Sequence, residues 1–445
     1  MNEKQQRPNI VLMVSHDLGC HIGPYGHAVP QSENLLAFAN ESMRMDRHFV
    51  TSPGCSQSRS SLVTGRYPHA NGQFGLANWG WKLSEDEALL PAVLRENGYY
   101  SRLFGVWHLH EWTLGSFDKV SDDVSTLDTS PEGFAEVAGM RAADWIRNAP
   151  EARDPFYLHV GFWEVHRPFC GTEEQVARAD SLEKGDLPVP DYLPDNGPTR
   201  REIAELHQSV GLVDRGVGMI LKSLEDSGLA ENTLVIFTAD HGLPFPRAKG
   251  TLYDPGINVS FLARWPGQIA PGTCGTSLTS NVDVMPTVLE AAGIPASDQI
   301  QGESFLPLMR GEGRAAGSER AVFAEKTYHE HYDPIRCLRT DEFKYIRNFE
   351  ERPNLVLPTD IYLSPTRVSM DDDERIWGRR SSEELYDLKA DPLERVNLVE
   401  HPESQATLEI YRRRLEDWMR STGDPLLEGP IHRGPDQVQS LGGTR

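Results

Sequence analysis

"NIVLMVSHD", residues 9–17, is a short apolar run rich in branched side chains that stops at a histidine and an aspartate. Pro8 bounds it on one side and polar residues on the other, the pattern of a buried strand. "TLVIFTADHG" (233–242) repeats the form and ends in Asp240 and His241. "PFYLHVGF" (155–162) and "VSFLARW" (259–265) read as further strands. Between them Ile203, Leu206, Val210, Val213, Val217, Ile220 and Leu224 recur in steps of three and four along one helix face. Strand and helix alternating in this way predict an α/β fold with a largely parallel sheet. Ligands of such sheets gather at the carboxyl ends of the strands. His16 and Asp17 stand at one such end, Asp240 and His241 at another.

After about residue 330 the texture changes. "CLRTDEFKYIRNF" and "SSEELYDLKADPLERVNL" read as short antiparallel strands with turns, and a helix follows from about 403 to 420. The expected organisation is a catalytic domain over 1–330, a smaller C-terminal α+β subdomain over 331–425, and a tail or arm over 426–445. A net charge of −22 argues against general affinity for nucleic acid or anionic membrane. It leaves room for an anionic substrate, because a metal and a few cationic side chains invert the field locally. No apolar run reaches the ~20 residues of a membrane span. The beginning of the chain does not read as a signal peptide, so a cytoplasmic location is expected. The five cysteines, Cys20, Cys55, Cys170, Cys274 and Cys337, are scattered and form no disulfide or thiolate-zinc spacing.

One cysteine stands in a distinctive setting. "PGCSQSRSSLVTGRYPHANG" (53–72) places Cys55 four residues before Arg59, at the start of a helix-like run. By itself this is either a small buried thiol or a reactive centre at a helix N-terminus. Likewise, an Asp-His pair at one strand end is more often a cap with a hydrogen-bonded imidazole than a metal site. Two such ends together with Cys55 favour convergence on one divalent cation.

With these residues in place, the sequence resembles the sulfatase family of the alkaline-phosphatase-like superfamily. The signature Cys-x-Pro-Ser-Arg followed by Leu-x-Thr-Gly is matched by "CSQSRSSLVTG", and Gly-Lys-Trp-His-Leu by "GVWHL" (105–109). The first strand of the family ends in Asp-Asp, here "VSHD", and "TADHG" (238–242) stands for its Asp-Asn-Gly or Asp-His-Gly. "GLPFPRAKGTLYDPG", "FAEKTYHEHYDPIRCLR" and "ELYDLKADPLERVNL" are most similar to the heparan N-sulfatase (N-sulfoglucosamine sulfohydrolase) branch.

The resemblance implies a large mixed, mostly parallel central sheet flanked by helices, and a hydrolase acting on sulfate esters or N-sulfo groups of a small sugar. It implies that Cys55 is oxidised to formylglycine and hydrated, so that one hydroxyl attacks sulfur and the other expels sulfate. Arg59 would support the nucleophile, His108 would take its proton, His166 would assist the leaving group, and Lys249 would hold the sulfuryl oxygens. His16, Asp17, Asp240 and His241, with Cys55, would bind one divalent metal, calcium by family default. His329 would line the substrate pocket, and Asp254 is explained equally by a pocket or a turn. A homo-oligomer is compatible with the sequence.

Three positions depart from the pattern: Gln57 replaces proline, Val106 replaces lysine, and His16 replaces an aspartate. An unconverted Cys55 would still be a nucleophile as a thiolate, without the second hydroxyl. The imidazoles tilt the metal site towards manganese or zinc. Two alternatives stand beside the sulfatase reading. One is a phosphodiesterase or phosphonate monoester hydrolase of the same superfamily, the other a non-catalytic sulfated-sugar-binding relative.

Overall fold

The computed structural model describes residues 7–30, 32–121, 134–148, 155–170, 172–184, 187–313 and 320–437. The strand Asn9–Ser15 is buried along its whole length, as is Thr233–Ala239. A strand without an exposed face must have a partner on each side and a layer above and below. Both requirements are met. Asn9–Ser15 lies at the centre of an eight-stranded sheet, parallel to Phe156–Phe162 on one side and to Thr233–Ala239 on the other. Tyr100–Gly105 and Lys119–Val120 continue the sheet in parallel beyond Phe156–Phe162. On the other flank, Phe261–Arg264 runs antiparallel to both its neighbours, and Met43–Met45 and Thr273–Gly275 complete the edge. The sheet is therefore mixed and mostly parallel, as expected.

Two apolar clusters cover the sheet, one on each face. Val11 and Met13 belong to one, with residues of the helices Phe134–Asn148 and Gly197–Asp226. Ile10, Leu12 and Val14 belong to the other, with residues of the helices Leu90–Glu96 and Val284–Ala291. This is the alternation of a period of two, read within an almost wholly apolar strand.

The expected strand over 259–265 is two strands. Asn258–Val259 pairs with His48–Phe49 in a small three-stranded sheet, and Phe261–Arg264 belongs to the central one. At Ser260, between them, the backbone N–H donates to Gly19 O, and the carbonyl accepts from Thr238 Oγ1.

A four-stranded antiparallel sheet, Val322–Tyr328, Tyr332–Arg339, Phe343–Asn348 and Glu383–Asp387, carries the helix Gln405–Thr422. Its first strand precedes residue 330, so the expected boundary falls inside a hairpin. Register explains the difference: Val322↔Arg339 through Tyr328↔Tyr332 form one ladder. Among the described residues, no helix is long and apolar enough to cross a membrane, and all five cysteines are free thiols.

Candidate active site

Because Ser15 and Ala239 are paired at the ends of adjacent parallel strands, the residues that follow emerge side by side. Asp240 N–H donates to Ser15 O at 3.0 Å, and Asp17 N–H donates to Asp240 Oδ1 at 2.9 Å. Asp17 holds a left-handed backbone, φ 48°, and so does His108, φ 56°. Non-glycine residues adopt this region at a cost of about 1–3 kcal/mol, and such positions cluster at functional sites.

Cys55 is the first residue of the helix Cys55–Thr64, all of it buried, with Gly54 as its N-cap. The helix N-terminus contributes positive potential at the thiol. Its Sγ lies 3.1 Å from His241 Nε2. Ligand atoms of His16, Asp17, Cys55, Asp240 and His241 all lie within 4.8 Å of one another. His241 Nδ1 donates to Gly242 O at 3.0 Å, which leaves Nε2 as the donor to a cation. His16 Nδ1 is 3.0 Å from Asp17 Oδ1 and 3.3 Å from Asp240 Oδ2. Two carboxylates, two imidazoles and a thiol, all buried, fit a divalent metal, and the nitrogen and sulfur donors suit a borderline-soft one.

The electrostatics point the same way. Burial alone would keep His16 neutral, but Asp240 and Cys55 outweigh it and raise its pKa to about 9. Burial likewise opposes charge on His241, which Asp240, Cys55 and Asp17 raise well above the usual imidazole range. Burial disfavours the Cys55 thiolate, yet His16, His241 and Lys249 hold the thiol well below its ordinary value. A pocket that pulls protons onto two imidazoles is one that demands positive charge. A metal cation answers that demand without protons.

The remaining expected residues surround this cluster. Arg59, one helical turn beyond Cys55, donates from Nε to Asp240 Oδ2 at 3.0 Å. Its Nη1 and Nη2 are buried and have no hydrogen-bond partner among the described residues. Lys249 Nζ lies 2.8 Å from Asp17 Oδ2 and 3.2 Å from His166 Nε2. His166 Nδ1 donates to Arg167 O, so its Nε2 is the atom turned to the site. His108 Nδ1 is 3.3 Å from His16 Nε2. Cys55, His108, His166, Lys249 and His329 all line one cavity of about 360 Å³.

Asp254 does not line that cavity. Its carboxylate is bound by Lys344 at 2.5 Å and Arg339 at 3.2 Å, against the C-terminal sheet. The positions that depart from the family pattern have local explanations. Val106 packs in an apolar cluster. Gln57 donates from Nε2 to Tyr328 O at 2.6 Å, joining the Cys55 helix to the C-terminal sheet. Asp360, Glu330 and Trp79 also line the cavity, and sequence reasoning did not find them. Asp360 Oδ2 is 3.0 Å from Lys249 Nζ although 111 residues separate them. It lies in "PTDIY", which carries no motif. Only Glu330, inside "YHEH", had a neighbour that drew notice.

Comparison with known proteins places the chain among relatives of one kind. The sulfatase family model matches residues 8–294, and the model of the N-sulphoglucosamine sulphohydrolase C-terminal region matches 241–365. The chain is 28% identical to human N-sulphoglucosamine sulphohydrolase, over 95% of this chain and 92% of that one. It is also 28% identical to an ulvan-active sulfatase of Formosa agariphila, over 94% and 76% of the two chains. A structure solved with its substrate D-glucosamine-2-N,6-O-disulfate superposes with a TM-score of 0.74 at 19% identity, covering 98% of this chain and 100% of that one. With a family match that runs from ahead of the first strand to beyond His241, the chain belongs to the sulfatase family, hydrolases of sulfate esters and sulfamates.

Proposed function

We propose that this protein releases sulfate from a sulfated glucosamine-type sugar, as an N-sulfo group or a sulfate ester, with residue 55 as the nucleophile. The observation that carries the reading is a pair of unspent donors near Cys55. Arg59 Nη1 and Nη2 are buried polar atoms with no hydrogen-bond partner among the described residues, and His108 and His329 line the same cavity as Cys55. Buried polar atoms are rarely left unpaired, and a sulfuryl group on residue 55 would give the guanidinium partners. Similarity to a human N-sulphoglucosamine sulphohydrolase, and to a structure that holds a glucosamine disulfate, supports the choice of sugar.

His16, Asp17, Asp240, His241 and Cys55 would hold the metal, which when bound lowers the pKa of the nucleophile and withdraws charge from a sulfuryl oxygen. Converted to formylglycine, residue 55 would offer a hydrated aldehyde, one hydroxyl to attack and the other to release sulfate. Arg59, fixed by Asp240, keeps two donors beside the nucleophile. Lys249, anchored between Asp17 and Asp360, supplies a fixed cation for the charge that develops on the leaving oxygens. His166 Nε2 stands beside it to give a proton to the departing amine or alcohol. His108 takes the proton of the nucleophile, and His329 binds the sugar.

Sulfate release from N-sulfoglucosamine, glucosamine 6-sulfate and p-nitrophenyl sulfate, followed by ion chromatography, tests the proposal. Release from at least one glucosamine sulfate at higher kcat/KM than from the aryl sulfate is expected. Turnover of the aryl sulfate with neither sugar accepted would overturn the substrate, and mass spectrometry of the Cys55 peptide identifies the nucleophile.

A further inference from the structure

The segment after Leu427 carries no family motif and reads as a tail, yet its described part is tied to both rims of the substrate cavity. On one rim, Arg433 Nη2 donates to Glu330 O at 2.7 Å, and its guanidinium carbon lies 5.2 Å from the centre of the Tyr328 ring. Tyr328 Oη donates to Ile431 O at 2.8 Å, and Ile431 N–H donates to Tyr332 Oη at 3.2 Å. On the other rim, Gln437 Nε2 donates to Gly80 O at 3.1 Å. Gly80 has φ 83°, and a Cβ there would lie 2.1 Å from Asp436 O, so the close approach admits no side chain. Gly80 follows Trp79, and Glu330 follows His329; Trp79, His329 and Glu330 are all cavity-lining residues.

Glu330 passes this restraint inward. Its Oε2 is 3.0 Å from His329 Nδ1, and its Oε1 accepts from Thr359 N–H at 3.0 Å. Thr359 precedes Asp360, the carboxylate on Lys249. The rim at Trp79 is anchored separately, by Ala77 N–H donating to Ser56 Oγ at 2.9 Å, beside Cys55.

From these contacts we infer that residues 429–437 are an arm that spans the two rims and shapes the outer wall of the substrate cavity, with Arg433 as a positioning residue that acts through Glu330 on His329. The inference rests on the reading of this cavity as the substrate site. A p-nitrophenyl ring is about as large as a pyranose but carries no hydroxyls, so an aryl sulfate reports the chemistry at Cys55, whereas a sugar also uses the polar groups of the cavity wall that the arm holds. The arm therefore contributes to sugar binding and little to the chemical step.

The test compares the full chain with Arg433→Ala, Arg433→Lys and a chain ending at Gly429, which keeps Asp424 and Leu426 in place. KM for the glucosamine sulfate should rise roughly tenfold in Arg433→Ala and in the shortened chain, the scale of one lost hydrogen bond from a charged donor. kcat for p-nitrophenyl sulfate should stay within about twofold. Arg433→Lys should recover part of the loss, since an ammonium still donates one bond to Glu330 O. Hydrogen exchange measured by mass spectrometry should quicken in residues 76–81 and 328–331 of the shortened chain, whether or not either sugar is turned over. Thus rejection of both sugars by the full chain would sink the substrate reading alone, and exchange would decide the arm. Unchanged exchange in those two segments overturns the inference. So does a parallel loss on both substrates that follows a lower Tm.

Discussion

Cys55 is buried, opens a helix, and lies among two imidazoles, two carboxylates and an ammonium. A thiol of ordinary packing has no reason to collect such neighbours, since each charge costs desolvation. Cys55→Ala should abolish sulfate release and leave the thermal unfolding midpoint nearly unchanged, as assays and calorimetry would show; turnover near the wild-type rate would remove residue 55 from the mechanism. The sign of the pH effect on metal binding follows from His16. Its pKa is raised to about 9 in the metal-free protein, so near neutrality it carries a proton that the metal must displace. Affinity for manganese or zinc should therefore rise as pH rises from 7 towards 9, by up to about tenfold per pH unit for one displaced proton. For the metal-free protein the sign is opposite. The stability contributed by a raised imidazole pKa is present below its unfolded value near ~6.5 and is lost as pH climbs through about 9. Metal titrations at pH 7 and 8.5 check the first statement, and denaturation of wild type against His16→Gln checks the second.

Elements place these side chains through close backbone approaches. Gly161 at the end of one strand lies so near Val106 at the end of its neighbour that a Cβ would be 1.8 Å from Val106 O. Val106 N–H donates to Gly161 O at 2.9 Å, and two residues later His108 turns into the site. Gly161→Ala should push these strand ends apart. It should cost about 1–3 kcal/mol, as overpacking does, and lower activity by displacing His108. Urea denaturation and kcat/KM on one sample measure both, and a variant with normal values would show that the approach is not needed. The strands and the long helix were legible from periodicity because burial there is uniform along the element. The split at Ser260 was not, since "VSFLARW" is apolar on both sides of the break and only pairing partners distinguish its two halves.

At the scale of the whole molecule, buried ion pairs hold the C-terminal sheet to its own helix segment and, through Glu325 and His69, to the rest of the chain. Arg336, fully buried, bonds Asp424 through Nε and Nη2 at 2.5 and 3.0 Å and lies 3.2 Å from Glu325, whose carboxylate also holds His69. Arg336→Met removes the cation and strands two buried carboxylates, so a loss of about 3–5 kcal/mol is expected. Equilibrium denaturation measures it, and a change under about 1 kcal/mol would mean that the carboxylates are neutralised another way. Lys344 and Arg339 on Asp254 make a second such junction. Both explain conspicuous polar residues that do not line the substrate cavity.

The sequence alone determined what depends on local order: apolar strands, the helix face of 203–224, and the signature from Cys55 to Gly65 that fixed the family. It also singled out His16, Asp17, Cys55, Arg59, His108, His166, Asp240, His241, Lys249 and His329, because family motifs keep chemical groups at constant spacing. Tertiary structure alone decided what depends on meeting across the chain. Asp360 reaches Lys249 from 111 residues away, Gln57 bonds a carbonyl of the C-terminal sheet, and the arm at 429–437 touches Gly80 and Glu330. Such contacts leave no mark in local periodicity. They arise only when separate segments fold against one another, and a charged or polar residue at their ends looks in sequence like any solvated one.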